Sequence, residues 1–477
     1  VSADWMLDQA VNGLRRQDPG LSAAQPLQGW QRRALWTVLI LTGAAALWQP
    51  VVTATVFVCV STAAYVLVVS DRIVMFRRGL ICGAIRISDA EARAIPDADL
   101  PTYTVLVPAY NEPEIVGELI AALTGLDYPQ DKLEVLLLLE ADDSATIAAA
   151  QRCAASPAIT VVLVPAAEPR TKPKACNYGL HFATGELVTI FDAEDVPDPL
   201  QLRRVVAAFG RLSDEVACIQ ARLAFHNRRS NFQTAWFASE YGLWFGYVLP
   251  GMMSSHSPIP LGGTSNHVRR PVLDKIGAWD PFNVTEDADL GLRIAATGYR
   301  TAVLESTTME EANSDPINWL RQRSRWYKGY LQTWLVHVRR PRDLFRSLGF
   351  RGFMRFNLVL AGTPLIAVLN LFFWFLTVVW FLGHPALIEA LFPWYVYFPA
   401  VACLVLGNAA VIYMNLVALR EDDRADLMGP ALLVPFYWVM MSVAAAKGVY
   451  QLVRNPSHWE KTHHGLDRAR RVGGPQG

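Results

Sequence analysis

Apolar positions along this chain fall into runs of two kinds, long unbroken ones and short β-branched ones. Two long runs, 34–48 and 51–70, are split by Gln49-Pro50. Together they predict a transmembrane hairpin, the first arm being short for a hydrocarbon core that takes about 20 helical residues. Arg32 and Arg33 precede the pair and Arg72, Arg77 and Arg78 follow it, so both ends are expected in the cytoplasm. A buried hairpin in a soluble protein is the alternative. Three further long runs, about 359–382, 394–419 and 430–452, predict more membrane segments. The loop at 383–393 lacks Lys and Arg and should face outward; the loop at 420–426 should face inward. That count puts the C-terminus outside, against a tail rich in Arg454, Lys461, Arg468, Arg470 and Arg471, so one segment is expected to be re-entrant or interfacial.

Between 100 and 300 the pattern shortens. Residues 103–107, 135–139, 159–164 and 187–191 read as strands, and 115–123 and 144–153 as helices between them. The alternation predicts an open, mainly parallel α/β sheet, and ligands in such sheets bind beyond the carboxyl ends of the strands. From 316 to 355 the chain turns basic and aromatic. Ten Lys and Arg lie between Arg321 and Arg355 against the single acid Asp343, interleaved with Trp319, Trp326, Tyr327, Tyr330 and Trp334, the pattern of helices lying in a membrane interface.

The expected organisation is therefore an N-terminal linker (1–30), a transmembrane hairpin (31–76), a catalytic α/β domain (77–315), amphipathic interface helices (316–355), transmembrane helices (356–452) and a tail (453–477). Composition agrees: 52% hydrophobic and 18% charged residues over 477 positions, against about 45–50% and about 25% in soluble domains, fit a globular domain joined to a few spans. A formal net charge of zero argues against nucleic acid as a partner. Six scattered cysteines without metal or redox spacing predict a reducing compartment. The first thirty residues show no cleavage pattern, so the first apolar run reads as an anchor.

Acids stand where the strand-end rule directs attention: Asp142-Asp143 after the second strand and Asp192-Ala193-Glu194-Asp195 after the fourth. Such acids suit contacts to a base or ribose, or a divalent cation held against a diphosphate; solvated turns and helix caps are the plainer reading. Thr285-Glu286-Asp287 precedes a helical stretch, 289–297, that ends at Gly298, and alone reads as a cap. Gln322, Arg325 and Trp326 share one helical face, where a guanidinium and an indole would serve a diphosphate and a sugar ring together; taken alone, an anchor at the membrane surface is an equal reading.

In this order the four elements resemble the family 2 glycosyltransferases, specifically the membrane-bound processive synthases of cellulose, curdlan, chitin and hyaluronan. The resemblance spans roughly residues 30 to 465. Val107-Pro108-Ala109-Tyr110-Asn111-Glu112, Lys172-Pro173-Lys174-Ala175-Cys176-Asn177 and Gly262-Gly263-Thr264-Ser265 add to it, and Pro456-Ser457-His458-Trp459-Glu460-Lys461-Thr462 resembles a bacterial cellulose-synthase-like subgroup. It implies a GT-A-like fold, a cytosolic catalytic domain on the inner membrane, and Mg²⁺ or Mn²⁺ as cofactor. It further implies inverting transfer from a nucleotide-sugar, a UDP-sugar foremost, to a growing polysaccharide coupled to export. It places Asp142, Asp143 and Tyr110, Asn111 and Glu112 near the nucleotide, and Asp192 and Glu194 on the metal, with Glu194 or Asp195 left open as the second ligand. Asp287 would be the general base beside Glu286, with Gly263, Thr264, Gln322, Arg325 and Trp326 on the substrates and Lys174 on the leaving phosphate. Asn370, Asn408, Asn415 and Lys447 would line a polymer path or join helices by hydrogen bonds, and accessory export subunits are possible partners alongside membrane lipid. Two readings compete: transfer of a single sugar to a lipid or lipid-linked acceptor, and a non-catalytic transporter or receptor with a nucleotide-binding domain.

Overall fold

The computed structural model describes residues 2–114, 116–153, 159–421 and 424–456. Among the described residues eight strands form one sheet: β1 (Tyr103–Ala109), β2 (Leu133–Glu140), β3 (Ile159–Val164), β4 (Leu187–Ile190), β5 (Val196–Pro197), β6 (Val216–Phe225), β7 (Asn266–Arg269) and β8 (Arg300–Glu310). Their order is β3-β2-β1-β4-β7-β6-β8-β5. The β-branched and leucine-rich β1, β2 and β4 are buried on both faces, as strands of a covered parallel sheet must be.

Topology gathers the chemistry on one edge. β1, β2, β3 and β4 run parallel, so Tyr110, Asp142 and Asp192 leave the sheet on the same side. β7 runs against β4, with Thr189 opposite His267; its amino end, Gly262 to Ser265, therefore returns to that edge. β8 pairs parallel with β6, Glu310 opposite Phe225, and delivers Glu310 there too.

Among the described residues, three helices are long and apolar enough to cross a membrane: Pro50–Cys82, the run Pro341–Gly383, and Trp394–Arg420. A fourth arises if Ala425–Leu432 and Val434–Arg454, bent by 65°, form one broken span; this bend falls in the last apolar run, where the loop charges conflict. The Gly29–Trp48 helix is not among them, so only one arm of the expected hairpin qualifies.

One expectation is corrected. The stretch 1–30 is not a plain linker: Ala3–Gln17 is a helix packed on the domain, where Asn177 donates to the Ala10 carbonyl at 3.1 Å. Arg339 then straps the following turn by donating to the carbonyls of Gly20 (2.9 Å) and Ser22 (2.8 Å). The Pro316–His337 helix buries Trp319, Arg323, Tyr327 and Lys328, with Trp319 and Tyr327 packed towards the Val434–Arg454 helix, and Arg323 is paired with Glu240. The next helix, Pro341–Phe356, broken at Gly349 (φ 64), does expose Phe345 and Phe350 between arginines. Residues 457–477, which hold most of the tail motif and its basic residues, lie outside the described residues.

Candidate active site

The strand edge and the apolar helices line a cavity of about 640 Å³. Asp192, Glu194, Glu286, Asp287, Arg325 and Trp326 all line it. Residues separated by up to 134 positions thus share one chamber. Lys172 is the hub: its ammonium pairs with Asp192 and donates to the Gly263 carbonyl at 2.7 Å. A Cβ placed on Gly263 would stand 3.5 Å from Asp287 Oδ2 and 3.9 Å from Lys172 Nζ, which fixes Asp287 across from the Asp192–Lys172 pair.

Glu286 and Asp287 open the Glu286–Ala296 helix. Thr285 sits at its N-cap, yet its hydroxyl makes no capping bond; instead it meets Thr333 Oγ1 at 3.4 Å on the Pro316–His337 helix. The acids are consequently shaped by burial. Burial, then the neighbouring Asp287 charge, push the Glu286 carboxyl up to about 8, against Lys172 and Arg325. Burial likewise raises Asp287 to about 6, against the Ala288 N–H and Lys172. Near neutrality the pair holds one proton, on Glu286, and Asp287 stays a carboxylate. Burial opposes the charge on Lys172, but Asp192 and Glu286 outweigh it and hold the ammonium above its usual range.

Asp195 turns inward. It is 1% exposed, accepts the Asp192 N–H at 2.7 Å and the Thr264 hydroxyl, and so holds the turn. Glu194 lines the cavity while Asp195 does not. Burial and the charges of Asp195, Glu194 and Asp192 drive Glu310 well above the usual carboxylate range. Such crowding is what a bound cation relieves. Among the described residues no group of three or more His, Cys, Asp or Glu is arranged to hold a metal. Asp192 and Glu194 still fit a lean Mg²⁺ or Mn²⁺ site, because these ions take one or two carboxylates plus phosphate oxygens.

The other expected residues divide. Tyr110 and Glu112 line the cavity, and Arg170 bridges Tyr110 (2.8 Å to the hydroxyl) and Asp142 (2.8 Å) at its rim. Asp143 is drawn into the fold, accepting the Asn111 N–H and, at 3.2 Å, that of Thr146. Gln322 lines the cavity and accepts from Asn313 at 2.9 Å. Lys174 does not reach the cavity: it is fully buried and ion-paired to Glu140 at 2.7 Å. Two positions apart on a helix means nearly opposite faces, so Lys172 takes the place expected for Lys174.

Arg323, absent from the expected set, also lines the cavity. It stacks 4.5 Å from the Trp326 ring and grips Glu240 at 2.9 and 2.6 Å, with the Tyr437 hydroxyl 3.0 Å away. Asn415 accepts from Ser239 at 2.9 Å and also lines the cavity, and Asn370 accepts from Tyr65, so both of these asparagines join helices. Leu358, Val359, Val411, Trp438 and Met441, all on apolar helices, line the same cavity, and these helices bring Asp71, Arg72 and Asn415 to it as well.

Residues 101–329 match the family described as "Glycosyltransferase like family 2". The chain is 30% identical over 273 residues to the beta-monoglucosyldiacylglycerol synthase of Synechocystis, covering 55% of this chain and 56% of that protein. It is 26% identical over 271 residues to a glucomannan 4-beta-mannosyltransferase of Oryza sativa, covering 53% and 49%. The chain thus spans about half the length of the curated relatives it matches. A mannosyltransferase of Pyrobaculum calidifontis solved with GDP-Man and Mn²⁺ shares the fold, at a TM-score of 0.51 and 20% identity over 84% of this chain and 99% of that one.

Proposed function

We propose, from the match of residues 101–329 to the family 2 glycosyltransferases, that this membrane protein transfers one sugar from a nucleotide-sugar to a lipid or lipid-linked hydroxyl. The observation that carries the reading is the cavity's mixed lining. Asp192, Lys172, Asp287 and Arg325 offer a site for a charged donor, and Leu358, Val359 and Met441 offer hydrocarbon a path to it. The lipid-glucosylating relative points the same way.

In this scheme the acceptor hydroxyl attacks the anomeric carbon, the bond to the nucleoside diphosphate breaks on the opposite face, and the centre inverts. Asp287 takes the hydroxyl proton as it leaves. Lys172 and Arg325 face the negative charge growing on the departing diphosphate. A divalent cation held by Asp192 and Glu194 would supply further neutralisation of that charge. Trp326, fixed by Arg323, offers a face on which the acceptor headgroup stacks.

Purified full-length protein, given a panel of UDP- and GDP-sugars with Mg²⁺ or Mn²⁺, tests the scheme. Lipid and oligosaccharide acceptors are offered together and the labelled products are sized. The expected product is an organic-soluble lipid carrying one sugar. A water-soluble polymer would return the processive reading.

A further inference from the structure

The lipid arm of the cavity carries an unbalanced charge. Val68, Asp71, Arg72 and Met75 on the Pro50–Cys82 helix all line the cavity, and their spacing of three and four puts them on one face. Asp71 is committed elsewhere: Arg355 donates to its Oδ1 twice, at 3.0 and 2.9 Å. Glu240, the other acid beside this arm, is held by Arg323 and Tyr437. Arg72, half-buried, makes no hydrogen bond or ion pair among the described residues. The group its charge is known to act on is the neutral Tyr327 hydroxyl. Arg77 and Arg78, further along the same helix, are exposed and suit the membrane surface. Arg72 instead faces the cavity, where a guanidinium left without an anion is costly.

Resting on the lipid-acceptor reading, we propose that Arg72 receives a phosphate of the acceptor, which is therefore a lipid whose hydroxyl-bearing headgroup is joined to its hydrocarbon through a phosphate. Lys172 and Arg325 serve the donor diphosphate, whereas Arg72 stands on the apolar Pro50–Cys82 helix and lines the cavity that Leu358 and Val359 also line. The phosphate is an anchor and does not react: the proton passes from the headgroup hydroxyl to Asp287 and the nucleoside diphosphate leaves, as above. A guanidinium fits this duty because it binds phosphate oxygens in pairs.

The test uses the full chain in phosphatidylcholine nanodiscs doped equally with diacylglycerol, phosphatidylglycerol and an isoprenyl-diphosphate-linked sugar, with a competent donor. Sugar incorporated into each lipid is measured, and KM and kcat are separated for Arg72→Ala, Arg72→Lys and the exposed control Arg77→Ala. A phosphate-linked acceptor is expected to be preferred. Its KM should rise at least about tenfold in Arg72→Ala with a smaller change in kcat, recover in part in Arg72→Lys, and stay put in Arg77→Ala. The labelled member of the two phosphate-linked lipids tells a phospholipid from an isoprenyl carrier. Preference for diacylglycerol, with KM untouched by Arg72→Ala, overturns the proposal and leaves the lipid reading standing. A free oligosaccharide is offered in the same assay; sugar on it with none of the lipids labelled fells both.

Discussion

Two pairs of neighbouring side chains show how little separates a working group from a scaffold group. Glu286 and Asp287 are adjacent, yet one is pushed to about 8 and the other to about 6, so only Asp287 is a base at neutral pH. Asp287→Asn keeps the shape but removes the proton acceptor. Turnover should fall about 10²–10⁴-fold with donor affinity nearly unchanged, as measured by nucleotide release and nucleotide-sugar binding. The wild-type kcat profile should fall off on its acid side near pH 6, losing about tenfold for each pH unit below, because protonating Asp287 removes the base. An ordinary exposed aspartate would give that limb near pH 4. The lysines are the second pair. Lys172→Met should impair turnover while the fold persists, since its partners Asp192 and Gly263 face the cavity. Lys174→Met should instead lower stability by about 3–5 kcal/mol, because Glu140 is left buried without its cation; a thermal melt beside an activity assay separates the two. The sequence marked the acids because strand ends are predictable, but nothing in it says which of two lysines faces the sheet. Arg323 was hidden for another reason: its partner Glu240 lies 83 positions away, beyond any local pattern.

Among the elements, strands β1 to β4 are legible because unbroken β-branched and leucine runs have few other uses. β6 and β8 are not, since Arg222 and the Ser306-Thr307-Thr308 run interrupt their apolar positions. With them went Glu310, which their pairing carries to the cavity edge. The partners of the basic aromatic helix are likewise illegible, because sequence records the charge of Arg323 and not the Glu240 that meets it. What sets that helix against the catalytic acids is a missing side chain: a Cβ on Gly329 would lie 2.3 Å from Thr285 Cγ2 and 2.5 Å from its Oγ1. Gly329→Ala should therefore push the Pro316–His337 helix from the Glu286-Asp287 turn, costing about 1–3 kcal/mol as overpacking does, and lower kcat more than donor affinity. Thr285→Ala removes both of the nearest atoms, so the double variant should regain part of the lost activity. A non-additive cycle in kcat is the sign that the two helices are coupled at this contact; simple addition of the two losses would mean that the glycine serves folding elsewhere.

At the scale of the whole molecule, catalytic domain and membrane helices contribute walls to one chamber, and the Glu240–Arg323–Tyr437 cluster sits where they join. Arg323 belongs to the helix that carries Trp326, and Tyr437 to the apolar Val434–Arg454 helix, so the position of the acceptor platform depends on the membrane part. Sequence motifs alone report the donor end, while the walls on which the lipid-acceptor proposal rests come from apolar residues with no motif at all. Leu358 is one of those walls, half-buried and on the lipid arm. Leu358→Trp adds bulk there and touches none of Asp192, Lys172 or Asp287. If both substrates meet in this one chamber, the variant should raise KM for a long-chain lipid acceptor and spare that for a short-chain analogue. Slow release of nucleotide to water, measured without acceptor, should be unchanged. Equal losses with both acceptors and with water would place the damage at the donor end, and the lipid would then have to enter by another route.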